Sequence, residues 1–119
     1  MRMEDTEETT RERHIRLDRE RRIRDRNLYL RSLTPSAAVG RFMRMRTKPD
    51  PMGGVAVADL YAAWVRWCAD RELTPGNVAR FSRALSPWIE RREPAVRRVR
   101  WSSGVQVRGI ALDEPGVSP

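Results

Sequence analysis

The stretch "LYAAWVRWCADRELTPGNVARFSRAL", Leu60 to Leu85, carries two apolar stripes at helical spacing, separated by a polar break. Leu60, Trp64, Trp67 and Cys68 fall on one side of a first helix, and Tyr61 with Val65 widens that face. In the second segment Val78, Phe81 and Leu85 recur in the same way, which sets Arg80 and Arg83 on the other side. The break "DRELTPG" is short and polar. Its Thr74-Pro75 pair reads as an N-cap followed by a proline at the first helical position, so the second helix is predicted from Thr74 to Ser86. Pro87 then closes it, with Trp88 and Ile89 as a further apolar anchor. Helices this short are marginal alone in water, so the two stripes must dock on each other.

Working upstream, Thr34-Pro35 repeats the start signal, and Ala38, Val39, Phe42 and Met43 give a short amphipathic helix ending near Arg46. "TKPDPMGG", residues 47–54, reads as a loop from its Pro, Gly and Asp content. Thr10 to Leu33 is a charged helix, solvated or partly disordered, with acid-first pairs Glu12/Arg16, Asp18/Arg22 and Glu20/Arg24. Downstream of "ERREPA" the period changes. Val96, Val99 and Trp101 lead into Ser102-Ser103-Gly104, and Val105 to Leu112 reads as a second strand, which makes a hairpin with glycine at its turn. Arg97, Arg98, Arg100 and Arg108 are expected on or near the exposed side of that hairpin. The chain thus divides into a charged arm (1–33), a folded domain (34–112) and a flexible tail (113–119).

Composition narrows the function. The 119 residues carry a net charge of +8 and a sequence pI near 11.2, nearly all of it from arginine. That sign favours polyanions, nucleic acid before acidic membrane or protein. GC-rich coding also substitutes Arg for Lys, so position has to decide. One cysteine excludes an internal disulfide, and one histidine (His14) leaves no ligand set for zinc. Cys68 reads as a small core residue. There is no G-x-x-x-x-G-K-[ST] loop, no H-E-x-x-H and no nucleophile–base set, so no enzyme activity, cofactor or metal is expected. With no apolar leader and no spanning segment, the expectation is a soluble cytoplasmic protein.

The order helix, helix, capped helix, basic hairpin is that of a winged helix-turn-helix. The predicted fold class is therefore mainly α with a small β-hairpin, a winged helix-turn-helix preceded by a charged N-terminal helix. In such a fold the Thr74–Ser86 helix enters the major groove of double-stranded DNA. Its outer face offers Thr74, Gly76, Asn77, Ala79, Arg80 and Arg83: small residues for close approach, Asn77 for adenine, Arg80 or Arg83 for guanine. Arg97, Arg98, Arg100 and Arg108 of the hairpin would contact phosphates. The competing reading is a protein-interaction adaptor, docking a replication or transcription partner through the arm. Membrane-surface binding is disfavoured because the arm lacks a continuous apolar face. Oligomeric state is not legible.

Leu60-Tyr61, Trp64, Trp67-Cys68, Thr74-Pro75 and Phe81 with Leu85 resemble the C-terminal winged-helix domain of phage, plasmid and poxvirus-type primase–helicases. "VQVRGIAL" is similar to that family's closing strand, and "VGRFMRMR" to the helix preceding the domain. The resemblance covers Val39 to Leu112, mostly at core positions. It departs in lacking the helicase phosphate loop and the primase acidic cluster, so no catalysis is implied. What it implies is a free-standing DNA-binding module, an accessory replication or regulatory factor of a phage or plasmid acting in a bacterial host cell.

Overall fold

The protein is described here by a computed structural model covering residues 2–114, with side chains from His14 onward. It falls into two units, Met1–Ser32 and Leu33–Pro119. The first is a single helix, α1 (Arg2–Ser32). From His14 to Arg26 every side chain is exposed, and Ile15, Leu17 and Ile23 form no stripe, while Asn27 and Leu30 are buried. Of the expected ion pairs, Glu12/Arg16 lies outside the described side chains. Asp18/Arg22 and Glu20/Arg24 do not form, and Glu20 instead reaches back to Arg16 at 3.9 Å. Exposed pairs of this kind are worth a few tenths of a kcal/mol, about what rotamer entropy takes away.

The second unit is mainly helical with a small antiparallel sheet. Its elements are α2 (Pro35–Arg46), β1 (Thr47–Ala56), α3 (Val57–Asp70), α4 (Val78–Glu90), β2 (Arg97–Trp101) and β3 (Gly104–Leu112), and the strand order is β1-β3-β2. The start of α2 is as the sequence predicts. The Thr34 hydroxyl accepts from the Ala37 amide at 3.2 Å, Pro35 occupies the first turn, and Ala38, Val39, Phe42 and Met43 are buried. These residues meet α3 and α4 in one aromatic core. Phe42 lies 5.5 Å from Trp64, 5.9 Å from Trp67 and 6.2 Å from Phe81 between ring centroids, each edge-on, and Tyr61 adds a fourth edge contact with Phe81 at 5.8 Å. Cys68 is fully buried beside them; burial pushes its thiol up to about 12 against an opposing pull from Arg71, which keeps it protonated and inert.

Three expectations need correction. The stretch 47–54 is not simply a loop. Thr47–Pro49 and Gly54–Ala56 pair with β3, and only Asp50–Gly53 bulge out, turned by the Met52 amide donating to the Asp50 carboxylate at 3.1 Å. Pro51 lies in that bulge, outside the ladder, and Pro49 is compatible with the strand because β1 is an edge. Pro87 does not end α4, which runs on to Glu90. An interior proline costs about 3 kcal/mol, but Trp88 and Ile89 beyond it are buried, worth about 1.5–3 kcal/mol each. The tail also begins later than 113. The Asp113 amide donates to the Arg46 carbonyl at 2.7 Å, and Glu114 pairs with Arg66 at 2.7 Å; residues 115–119 lie outside the described residues.

No helix among the described residues is long and apolar enough to cross a membrane.

Candidate nucleic-acid interface

The start of α4 depends on α3. Tyr61 donates its hydroxyl to the Gly76 carbonyl, and the Trp64 indole donates to the Pro75 carbonyl at 2.9 Å. With both carbonyls claimed, 75 and 76 stay in the turn, and Gly76 takes φ +71, a left-handed conformation that suits glycine. The cap is therefore Asn77, not Thr74. Its side-chain oxygen accepts from the Arg80 amide at 2.8 Å, and the helix opens at Val78. This moves three of the predicted DNA-facing residues out of the helix body: Thr74 is an exposed turn residue, Gly76 lies in the turn, and Asn77 is the cap, with one acceptor site of its side-chain oxygen taken by the helix end. Val78, expected in the core, is 46% exposed, while Phe81 and Leu85 are buried as predicted.

What α4 does present is Arg80 and Arg83, both exposed and three residues apart on one side of the helix. Ser82 and Ser86 form the neighbouring flank, and there the hairpin joins the helix. Arg98 donates one nitrogen to the Ser82 carbonyl at 2.8 Å and the other to the Ser86 hydroxyl at 3.2 Å. Sequence reading missed both serines, because nothing local marks a residue whose partner comes from a strand twelve residues away.

The four hairpin arginines do not share one exposed face. Directly paired residues on antiparallel strands point to the same side, and successive residues alternate. Arg98 pairs with Val107, which is fully buried, so Arg98 and Arg100 belong to the side that meets α4. Arg97 pairs with Arg108 on the opposite side, and Gly54 is the next residue across on β1. Arg108 lies over that glycine: an added Cβ at Gly54 would come within 2.7 Å of its guanidinium. Gly109, in the Arg-Gly-Ile of β3, has φ +95, and a Cβ there would meet the Ala95 carbonyl oxygen at 2.1 Å, which holds the hairpin root closed to anything but glycine.

Among the described residues, the side chains of Arg80, Arg83, Arg97, Arg100 and Arg108 make no ion pair and no hydrogen bond. No acidic residue occurs from Pro94 to Leu112. Two like charges facing each other across a strand pair, as Arg97 and Arg108 do, are unfavourable unless an anion lies between them. A second basic cluster sets Arg44 of α2 beside Arg91 and Arg92, which open the basic stretch 91–110 of the sequence; the grouping itself is not legible from spacing. Burial first, then the charges of Arg44 and Arg91, lower Arg92 from its usual value. Arg92 stacks on Trp88 at 4.1 Å and donates to the Trp88 carbonyl at 3.1 Å. These residues stand at the C-terminal ends of α2 and α4, where cations offset the helix dipole, so this cluster has a structural explanation.

His14 is exposed on α1, and no three His, Cys, Asp or Glu side chains gather to hold a metal among the described residues. No protein-family model matches the chain, and neither a curated protein nor a solved structure does.

Proposed function

We propose that the unit from Leu33 onward is a winged helix that binds double-stranded DNA, acting by binding rather than by catalysis. One observation carries this: five arginines with no acidic partner among the described residues stand on α4 and the β2–β3 hairpin, the two elements such a fold turns toward DNA. The element order helix, strand, helix, helix, strand, strand with β1 beside β3 supports it as well. In this reading Arg83 and Arg80 reach base edges in the major groove, and Arg97, Arg100 and Arg108 bind phosphates. Arg98 braces the hairpin against α4 and is largely spent on that task. The resemblance to primase–helicase C-terminal domains extends the proposal to an accessory replication or regulatory factor of a phage or plasmid in a bacterial host.

Binding isotherms on a preferred and a scrambled duplex at several salt concentrations test it. Arg97→Ala, Arg100→Ala and Arg108→Ala should weaken binding to both duplexes alike, each lowering the salt slope by about 0.9 for every phosphate left without its arginine. Arg83→Ala should cost about 1–3 kcal/mol on the preferred duplex and relax the preference. Duplex affinity that none of these substitutions moves would replace this reading with the adaptor for a protein partner.

A further inference from the structure

Three of the four tryptophans are core residues, with Trp64 5%, Trp67 2% and Trp88 7% exposed, but Trp101 is 52% exposed. It is the last residue of β2 and pairs with Gly104 across the turn Ser102–Ser103, so the indole stands at the tip of the hairpin. Its surroundings are open: an added Cβ at Gly104, directly opposite, would meet nothing within 4 Å. Among the described residues it has no aromatic partner and no hydrogen bond. Alternation puts Val99 and Arg97 on its side of β2, with Arg108 facing Arg97. From Trp101 back to Arg97 is about 13 Å, four steps of about 3.3 Å. The tip is thus a flat apolar face followed along the strand by two guanidiniums that have no partner among the described residues.

Leaving a large indole in water forfeits the stabilisation its burial would bring. A second copy of this chain, at net charge +8, would bring like charge against Arg97 and Arg108. An apolar protein patch would desolvate both guanidiniums without compensation. A nucleobase does neither, because it offers a π-face to the indole and carries its own phosphates to the arginines. A base within an intact duplex has both faces stacked, so the base in question must be unpaired. We infer that the hairpin tip is a stacking site for an unpaired base, with Trp101 as the platform and Arg97 and Arg108 holding the adjoining phosphates. This rests on the DNA-binding reading and narrows its substrate to DNA with single-stranded tails, such as a fork.

The test compares a forked duplex with a fully paired duplex of equal phosphate number, for the wild type, Trp101→Ala and Trp101→Phe, with thermal melts confirming that each variant is folded. The wild type should prefer the fork by about 5- to 150-fold, the worth of one stacked base. Trp101→Ala should abolish the preference while leaving affinity for the paired duplex unchanged, and Trp101→Phe should keep most of it. Fork binding should also quench the fluorescence of the wild type, and the quenching should be lost in Trp101→Ala. Binding of both DNAs with no fork preference, or a preference that survives Trp101→Ala, overturns the inference and leaves the DNA-binding reading standing. Failure of the wild type to bind either DNA overturns both.

Discussion

Asn77 shows how a polar side chain with a plausible ligand role is claimed by its own backbone. An exposed asparagine near the start of a basic helix suits adenine, yet its oxygen closes the first turn of α4 on the Arg80 amide. Losing a helix cap costs about 1 kcal/mol. Asn77→Ala should therefore lower the unfolding free energy by that amount in denaturant titrations, Asn77→Asp should restore it, and neither should change which duplex is preferred. A change in preference with unaltered stability would return Asn77 to the base-reading set. The same scale explains Thr74. Thr34-Pro35 and Thr74-Pro75 are locally alike, but only the first pair caps a helix. The second is overridden by two hydrogen bonds from Tyr61 and Trp64, donors that lie eleven or more residues upstream.

Among the elements, α2 is legible in full from spacing, and so are Leu60, Trp64, Trp67 and Cys68 on the buried face of α3, because amphipathic periodicity and a local cap are properties of neighbouring residues. Val57 and Ala63 complete that face, and Tyr61 and Val65 are only half-buried. β1 is not. Its prolines and glycines are turn residues by composition, and its strand character comes from β3, fifty or more residues later, which supplies the partner for both of its ends. The hairpin was legible as two strands and a turn, but the division of its arginines between two sides was not, since that depends on register against Val107. Arg98 carries a testable consequence. Its two bonds to α4 are charge-assisted, but Arg98 is exposed, so Arg98→Ala should cost only about 1 kcal/mol. Hydrogen exchange should report looser protection in β2 with α2 and α3 unaffected. Uniform loosening of the whole unit would mean that the bonds support the core rather than the hairpin.

At the scale of the molecule, the charged helix α1 and the folded unit are two distinct bodies. Because every side chain from His14 to Arg26 is exposed, a chain beginning at Asn27 should keep the folded unit's stability within about 1 kcal/mol. Thermal melts of the shortened and full chains check this, and a drop of several kcal/mol would show that the removed residues contribute to the fold. The net charge of +8 also belongs to this scale: it makes polyanion binding the natural first expectation, but only the position of each arginine separates the partner-seeking ones from those that brace the structure.

The sequence by itself determined that the chain builds a mainly helical domain around Phe42, Trp64, Trp67 and Phe81 and closes it with a basic hairpin. Those features follow from periodicity, caps and turn residues, which act over a few positions. Only the tertiary structure decided where α4 begins, that β1 joins the sheet, which arginines have no partner among the described residues, and that Trp101 alone of the four tryptophans faces water. Each of these is set by a partner distant in the chain: a hydrogen bond from another helix, a strand supplied from the other end of the domain, a register that assigns a side chain to one face. Such partners leave no local trace, because the same residues next to different neighbours would settle differently.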